Sequence, residues 1–212
     1  TRIAGGSMAA RMPLWTADGR QMVYRGGTSF YPKSVGDDGR EEALISGLTI
    51  LATPLGWTSD QRDLLFDDIS ATSALDLHLL SVDGQRARRP WLQSQYGESQ
   101  GQLSPDGKWL AYVSNESGKN EICVRSFPSG DAKSCLTGGG LEPRWRPDGK
   151  ELFYLAPDHT LMAVSAKTTS TFEAGDPVRL FPTRVSTFQN GSFTRNQYVV
   201  AADGRILINQ PM

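Results

Sequence analysis

The sequence predicts an all-β protein built from a repeated unit. Its best-preserved motif is Ser104–Tyr112, a polar residue followed by Pro-Asp-Gly-Lys and an apolar run, and Arg146–Tyr154 repeats it closely. Looser copies begin at Thr16, Thr58 and Ala201. The aspartates of the five copies are 42, 46, 42 and 55 residues apart. A period of about 40–50 residues, enough for four short strands, is typical of the blades of a β-propeller.

Each copy of the motif predicts a β-hairpin. Proline presets φ for the first corner, aspartate hydrogen-bonds within the turn, and glycine takes the left-handed conformation that closes the loop. The predicted turn residues are Asp18, Gly19, Asp60, Pro105, Asp106, Gly107, Pro147, Asp148, Gly149, Asp203 and Gly204. Gln61 occupies a glycine position, so the second hairpin is expected to be strained or to use another turn. His159, which follows Asp158, is expected to be an exposed turn residue.

The segments between the motifs supply further strands, and amphipathic helical periodicity is almost absent. Outer strands are predicted at 41–45 in the first unit and at 177–181 in the fourth, and residues 183–197 are predicted to be a mobile surface loop within an insertion. The predicted blade units are 13–53, 54–97, 98–140 and 141–182, with an opening hairpin at 198–209. We therefore predict an incomplete β-propeller of about four and a half four-stranded antiparallel blades.

The charge balance argues against nucleic-acid binding. The chain has 22 basic and 23 acidic side chains and a formal net charge of −1, whereas a binder of phosphate backbones normally carries a basic excess. No apolar run approaches the ~20 residues that span a bilayer, so no membrane insertion is expected. The chain lacks an initiator methionine, which suggests a fragment of a longer protein.

The two cysteines lie on the two arms of one predicted hairpin around residues 128–131. Opposite positions on antiparallel strands can come close enough for a bridge, but most such pairs have unsuitable geometry. We therefore expect Cys123 and Cys135 to be unbridged, small, half-buried side chains.

Catalytic and metal-binding patterns are weak. Only His78 and His159 could act as an imidazole base, and there is no Gly-x-Ser-x-Gly elbow. His78 is expected to fill an aromatic position between blades. The acidic pairs 37–38 and 67–68 lack the alternating spacing of a calcium loop, and no phosphate-binding loop is present. We predict no catalytic residues, no metal and no cofactor.

Glu98–Val113 and Glu142–Leu155 resemble the repeats of TolB-like propellers, which are bacterial relatives of WD-repeat propellers. Some stretches, such as Gly138–Trp145, are similar to the propeller region at the C-terminal end of bacterial receptor-like Ser/Thr protein kinases. Gln61 and Leu103 depart from the pattern, since Leu103 stands where the family favours tryptophan. The resemblance implies six or more blades in the intact propeller, with N-terminal blades missing here, and a periplasmic or extracytoplasmic location.

These features favour a non-catalytic scaffold that binds a protein, a peptide or a small ligand, as the sensor or interaction module of a larger bacterial protein. Five polar residues lead into the two best-preserved inner strands and are the candidate partner-facing set: Glu98, Gln100, Gln102, Glu142 and Arg144. The alternative role for this set is ordinary hydrogen bonding between blades. Two other functions stay open. One is the accessory domain of a prolyl-oligopeptidase-like peptidase, and the other is a metal-dependent hydrolase or lactonase.

Overall fold

The computed structural model describes residues 10–36, 42–69, 74–185 and 197–209. These residues form 18 β-strands and no helix, which confirms the predicted all-β class. No element within these ranges is a helix long and apolar enough to cross a bilayer. The chain divides into two compact units, Thr1–Gln95 and Tyr96–Met212, called unit 1 and unit 2.

Unit 1 contains two antiparallel sheets whose strands follow one another in sequence order. The first blade comprises β1 (Ala10–Trp15), β2 (Gln21–Gly26) and β3 (Ser29–Ser34). The second blade comprises β4 (Thr53–Trp57), β5 (Asp63–Ile69), β6 (Leu75–Ser81) and β7 (Arg88–Leu92). The outer strand predicted at 41–45 is reduced to a bridge between Ile45 and Phe30, and Glu41 lies outside the described residues.

Apolar side chains of both blades form one buried cluster in unit 1. Phe30 and Phe66 meet edge to face, with ring centroids 5.5 Å apart, and both are fully buried. Val23, Leu64 and Leu80 surround them. Alternate residues of a strand point to the same face of its sheet. When two sheets are stacked, the apolar side chains on their facing surfaces therefore pack together.

Unit 2 contains a four-stranded sheet, a five-stranded sheet and a two-stranded hairpin. The third blade comprises β8 (Glu98–Leu103), β9 (Trp109–Ser114), β10 (Glu121–Ser126) and β11 (Lys133–Leu136). The fourth blade comprises β12 (Leu141–Trp145), β13 (Glu151–Leu155), β14 (Thr160–Thr168), β15 (Phe172–Ala174) and β16 (Val178–Pro182). The terminal hairpin comprises β17 (Tyr198–Val200) and β18 (Ile206–Ile208).

The region interpreted from sequence as an insertion is more ordered at its start than expected. β14 extends to Thr168, and the unpredicted strand β15 pairs with its end. β16 pairs with the first part of β14, in the place predicted for the outer strand. In the predicted loop 183–197, Val185 is buried, and residues 186–196 lie outside the described residues.

The five motif turns share one conformation. Gly19, Gly107, Gly149 and Gly204 have φ between 66 and 83°. Gln61 has φ 59°, so the second hairpin keeps the same turn and carries backbone strain, one of the two predicted outcomes. His159 has φ 62° and is exposed, as predicted for a turn residue.

The innermost strand of each blade contains a β-bulge that the sequence did not reveal. The pairing register shifts within β1, β4, β8 and β12. Met12, Gln100 and Glu142 occupy equivalent bulge positions with φ of 54, 57 and 53°. A bulge re-aims the side chains beside it, and none of these residues is glycine, so no motif marked the position.

The expectation of unbridged cysteines is wrong. Cys123 and Cys135 form a disulfide. They are direct cross-strand partners in the pairing of β10 with β11. That register depends on the length and conformation of the connecting turn, which the composition of the hairpin did not determine.

Candidate functional site

The predicted partner-facing set lies at the bulges of β8 and β12. Glu98, Gln100 and Glu142 are buried, with exposed fractions of 3%, 9% and 2%. Gln102 and Arg144 are half-buried. The structure therefore brings the five residues together on the inner strands of the third and fourth blades, with most of their polar atoms away from solvent.

Two glutamines of this set connect the third blade to the fourth. The side-chain oxygen of Gln100 accepts a hydrogen bond from the backbone N–H of Glu142 at 2.6 Å. The side-chain oxygen of Gln102 accepts from the N–H of Trp145 at 2.6 Å, and its carbonyl accepts from the Trp145 indole at 3.1 Å. This is the geometry of hydrogen bonding between blades, the alternative role considered above.

Glu142 continues the chain of contacts to the terminal hairpin. Its carboxylate accepts from the N–H of Gln197 at 2.9 Å, and its carbonyl accepts from the Tyr198 hydroxyl at 2.7 Å. The guanidinium of Arg144 lies 5.8 Å from the centre of the Tyr198 ring and 3.8 Å from the Glu142 carboxylate. Burial raises the pKa of Tyr198, so its hydroxyl remains a donor at neutral pH.

A groove of about 590 Å³ lies in unit 1 between the first and second blades. Its apolar wall is formed by Val23, Pro32, Leu44, Trp57 and Val82. Sequence reasoning missed this groove, because its residues come from separate strands and turns.

Hydrogen bonds between the two blades hold the groove open at a fixed width. The Trp57 indole donates to the carbonyl of Trp15 at 3.0 Å. The side-chain oxygen of Gln61 accepts from the N–H of Ala17 at 3.3 Å, which ties the second motif turn to the first. Because these bonds fix the indole and the turn, the groove is largely preformed.

Arg20, Gln21 and Gln61 place polar groups on the rim of the groove. The Asp18 carboxylate accepts from the N–H of Arg20 and from the Thr16 hydroxyl, and these bonds lower the pKa of Asp18. Among the described residues, no side chain or carbonyl accepts a hydrogen bond from the Arg20 guanidinium. The rim therefore offers a guanidinium and the side-chain oxygen of Gln21 beside an apolar wall.

Neither family models nor curated proteins match the chain, but solved structures do. TolB from Acinetobacter baumannii is similar, with a TM-score of 0.64 and 17% identity over 86% of this chain and 46% of that one. The chain has a TolB-like β-propeller fold. The predicted propeller is thereby confirmed. The chain spans less than half the length of this TolB.

Two enzymes of known structure are also similar to the chain over most of its length. A puromycin-hydrolysing peptidase from Mycobacterium tuberculosis has a TM-score of 0.70 and 18% identity over 98% of this chain and 38% of that one. A periplasmic gluconolactonase from Pseudomonas aeruginosa has a TM-score of 0.61 and 15% identity over 92% of this chain and 64% of that one. At these identities the likeness establishes the fold alone.

His78 lies inside the TolB-like fold as a packing residue. Its ring stacks on Phe66 with centroids 5.3 Å apart, and Arg88 donates to its Nε2 at 2.9 Å. Burial, aided by Arg88, lowers the pKa of His78 to about 4, so the ring is neutral at pH 7. Arg88 also pairs with the buried Asp68 at 3.0 Å. His78 thus packs against an aromatic ring, and these contacts all lie within the second blade.

The acidic pairs do not assemble a metal centre in the part of the propeller that the structure describes. Within these ranges, no group of three or more His, Cys, Asp or Glu side chains is arranged to hold a metal ion. Asp67 and Asp68 are adjacent on β5 and both are buried. Asp37 and Asp38 lie outside the described residues.

The tryptophans that precede the motif turns differ in their packing. Trp145 is buried with 4% exposed, Trp57 is half-buried, and Trp15 is 44% exposed. Trp57 and Trp145 each donate an indole hydrogen bond to the inner strand of the preceding blade. These two tryptophans therefore contribute to the contact between blades, whereas the Trp15 ring is exposed.

Proposed function

We propose that the chain is a non-catalytic binding scaffold whose ligand site is the groove of unit 1. The groove is the observation that carries the proposal. Its volume of about 590 Å³ lies inside the ~300–1,000 Å³ range of ligand pockets. An apolar wall with a few polar groups on its rim is also the usual composition of such pockets.

The mechanism of binding is rigid display. The groove joins two blades that already share a hydrophobic cluster and hydrogen bonds between their turns. A preformed site loses little conformational entropy when it binds, so little change of shape is expected. The bound partner is a protein, a peptide or a small ligand, and the propeller acts as the interaction module of a larger bacterial protein such as a receptor-like Ser/Thr kinase.

A fragment screen observed by protein NMR tests this proposal. Binding in the groove should shift the indole N–H resonance of Trp57 and the side-chain amide of Gln61 in a saturable way. The matched control is Gln21→Trp, which places a large ring at the rim and should abolish the shifts. If no fragment perturbs these resonances, or if the variant binds equally well, the groove is not the ligand site.

The five polar residues of β8 and β12 form a second, independent part of the proposal, as a partner-facing set. Replacing Glu98, Glu142 and Arg144 together by alanine should weaken an identified partner. Because Glu142 also bonds the terminal hairpin, thermal melting must accompany the assay. Unchanged binding by a folded triple variant would remove this set from the partner surface.

A second candidate function is the accessory domain of a prolyl-oligopeptidase-like peptidase. The similarity to the mycobacterial peptidase over 98% of the chain favours it. The neighbouring coding sequence provides the test. A hydrolase domain with Gly-x-Ser-x-Gly downstream supports this function, and a kinase domain upstream contradicts it.

A metal-dependent hydrolase or lactonase is a third candidate, favoured by the similarity to the gluconolactonase. Elemental analysis of the purified chain tests it directly. A stoichiometric divalent ion would support this function over the scaffold.

A further inference from the structure

The groove of unit 1 has a counterpart in unit 2, because both lie between two neighbouring blades at equivalent repeat positions. We call such a contact surface between blades a seam. Trp57 and Trp145 end the inner strands of the second and fourth blades, on one side of each seam. On the other side, Gln21 and Trp109 each begin the second strand of a blade, three residues after the aspartate of the turn.

The seam of unit 2 is filled by an aromatic side chain. Phe172 of β15 lies between Trp109 and Trp145, with ring centroids 6.1 Å from each. The Trp145 ring meets Phe172 edge to face at 87°. Phe172 is 9% exposed, Trp109 3% and Trp145 4%. Packing three rings in this way buries their apolar surface and gives the edge-to-face or tilted geometry that aromatic pairs favour.

The seam of unit 1 lacks two of these three rings. Gln21 is exposed where unit 2 has Trp109, and no aromatic side chain of the described residues lies where unit 2 has Phe172. Only the indole of Trp57 remains, and it is half-buried beside the groove. The groove therefore coincides with the space that Phe172 fills in the other unit.

We propose that the groove receives the aromatic side chain of a bound polypeptide, in the way that the seam of unit 2 receives Phe172. This inference rests on the proposed function and specifies its ligand. The ring would lie against Trp57, with Val23 and Val82 below it. Burying an aromatic ring against this wall supplies the main part of the affinity.

The occupant is a polypeptide because an extended strand presents Phe172 in unit 2. β15 runs antiparallel to the end of β14, and the acidic residue Glu173 follows the phenylalanine. On the rim of the unit 1 groove, the side-chain oxygen of Gln21 can accept a hydrogen bond from a peptide N–H, because the Gln21 nitrogen alone bonds to Ser34. The Gln61 amide already bonds to Ala17 and Thr58. Arg20 offers a guanidinium to a carboxylate or carbonyl next to the ring.

The test uses a peptide that copies the chain's own residues 170–175, acetylated and amidated, titrated into the full chain by calorimetry and NMR. The control peptide carries alanine in place of phenylalanine. The phenylalanine peptide should bind at least about tenfold more tightly and shift the Trp57 indole resonance. Gln21→Trp should weaken its binding at least about tenfold.

Matched variants keep the test interpretable. Arg62→Gln, at the turn position equivalent to Arg20 but outside the groove, should bind the peptide like the parent chain. Melting curves establish that Gln21→Trp is folded. If it is not, Trp57→Leu removes the aromatic wall and should weaken binding in its place.

Each outcome decides between the proposals. Equal affinity for the phenylalanine and alanine peptides, or no saturation up to about 1 mM, overturns the aromatic receptor. Equal affinity for the peptide and for N-acetylphenylalaninamide would show that the groove does not recognise a polypeptide. The ligand would then be a small aromatic molecule. If other fragments bind the groove while the peptide does not, only this inference fails. If nothing binds there, the proposed ligand site fails as well.

Discussion

The seams of unit 1 and unit 2 have the same strands and turns but different fillings. Both have a tryptophan at the end of an inner strand that donates an indole hydrogen bond to the preceding blade. In unit 2 the indole is buried against Phe172, which also contacts Trp109, whereas in unit 1 it borders an open groove. The turn residues determine the strand arrangement of each blade. A few side chains determine whether the space between two blades is filled or open.

The inner strands show the same contrast. Gln100 and Gln102 of the third blade accept hydrogen bonds from the backbone of the fourth. The first blade has Met12 and Leu14 at these positions, and neither side chain carries an acceptor of that kind. Unit 2 thus closes its seam with polar as well as aromatic contacts. Unit 1 has its hydrophobic cluster, the bonds of Trp57 and Gln61 near the turns, and bonds from Thr49 to Asp68 and from Arg86 to Ala43 away from the groove.

Emptying the closed seam should have the largest effect on stability. Phe172→Ala removes the ring between Trp109 and Trp145 and should lower the free energy of unfolding by about 3–4 kcal/mol, the usual cost of deleting a buried phenylalanine. Chemical denaturation followed by tryptophan fluorescence measures the loss. Phe181→Ala is the control, because Phe181 is 41% exposed, and it should cost under about 1 kcal/mol. Equal losses would show that Phe172 does not fill the seam.

The pH dependence of unit 1 should differ from that of unit 2, because His78 stands where the fourth blade has Met162. The pKa of His78 is about 4 in the fold and 6.5 as the ordinary value. Between about pH 4 and pH 6.5, His78 is therefore protonated in the unfolded chain but largely neutral in the folded chain. Stability should fall as pH decreases from about 6.5 to 4, by roughly 2–3 kcal/mol, and then level off.

Comparing the parent chain with His78→Gln isolates this contribution, since the carboxylates titrate in both. The variant should lose less stability between pH 7 and 4, as measured by denaturation at each pH. His159→Gln, at an exposed turn, should retain the parent slope. Identical slopes for the parent and His78→Gln would refute the role of His78.

Removing one polar contact from the seam of unit 2 should have a moderate effect. Gln102→Leu, which introduces the residue type of the first blade, leaves the backbone N–H of Trp145 without its acceptor. The expected loss is about 1–2 kcal/mol. Gln93→Leu, at an exposed position, should change stability by less than about 0.5 kcal/mol. A loss no greater than that of the control would mean that water replaces the bond.

The turns should give the smallest effects. Gly149→Gln in unit 2 imposes a side chain at φ 73° and should cost about 1 kcal/mol. Gln61→Gly in unit 1 relieves the equivalent strain but removes side-chain bonds to Ala17 and Thr58, so its net change should stay within about 1 kcal/mol. A loss well above about 1 kcal/mol from Gln61→Gly would show that the two side-chain bonds outweigh the relief of backbone strain.

Local chemistry explains which features could be predicted from the sequence. The Asp-Gly turns and the alternating apolar strands depend on neighbours within a few residues, so β16 and the terminal hairpin lie where the sequence predicts them. The disulfide, the bulges and β15 depend on pairing register. The groove depends on which residue lines it opposite Trp57, and that residue, Gln21, belongs to another blade. The residues next to Gln21 in the sequence do not indicate that it lines a groove.

The Cys123–Cys135 bridge makes the chain sensitive to the redox conditions around it. Disulfides form and persist in oxidising surroundings and are rare in the reducing bacterial cytosol. The bridge joins the two outermost strands of the third blade, so its reduction would remove a covalent restraint between them. We therefore expect a reducing agent to yield a thiol form of the chain that unfolds more readily than the oxidised form.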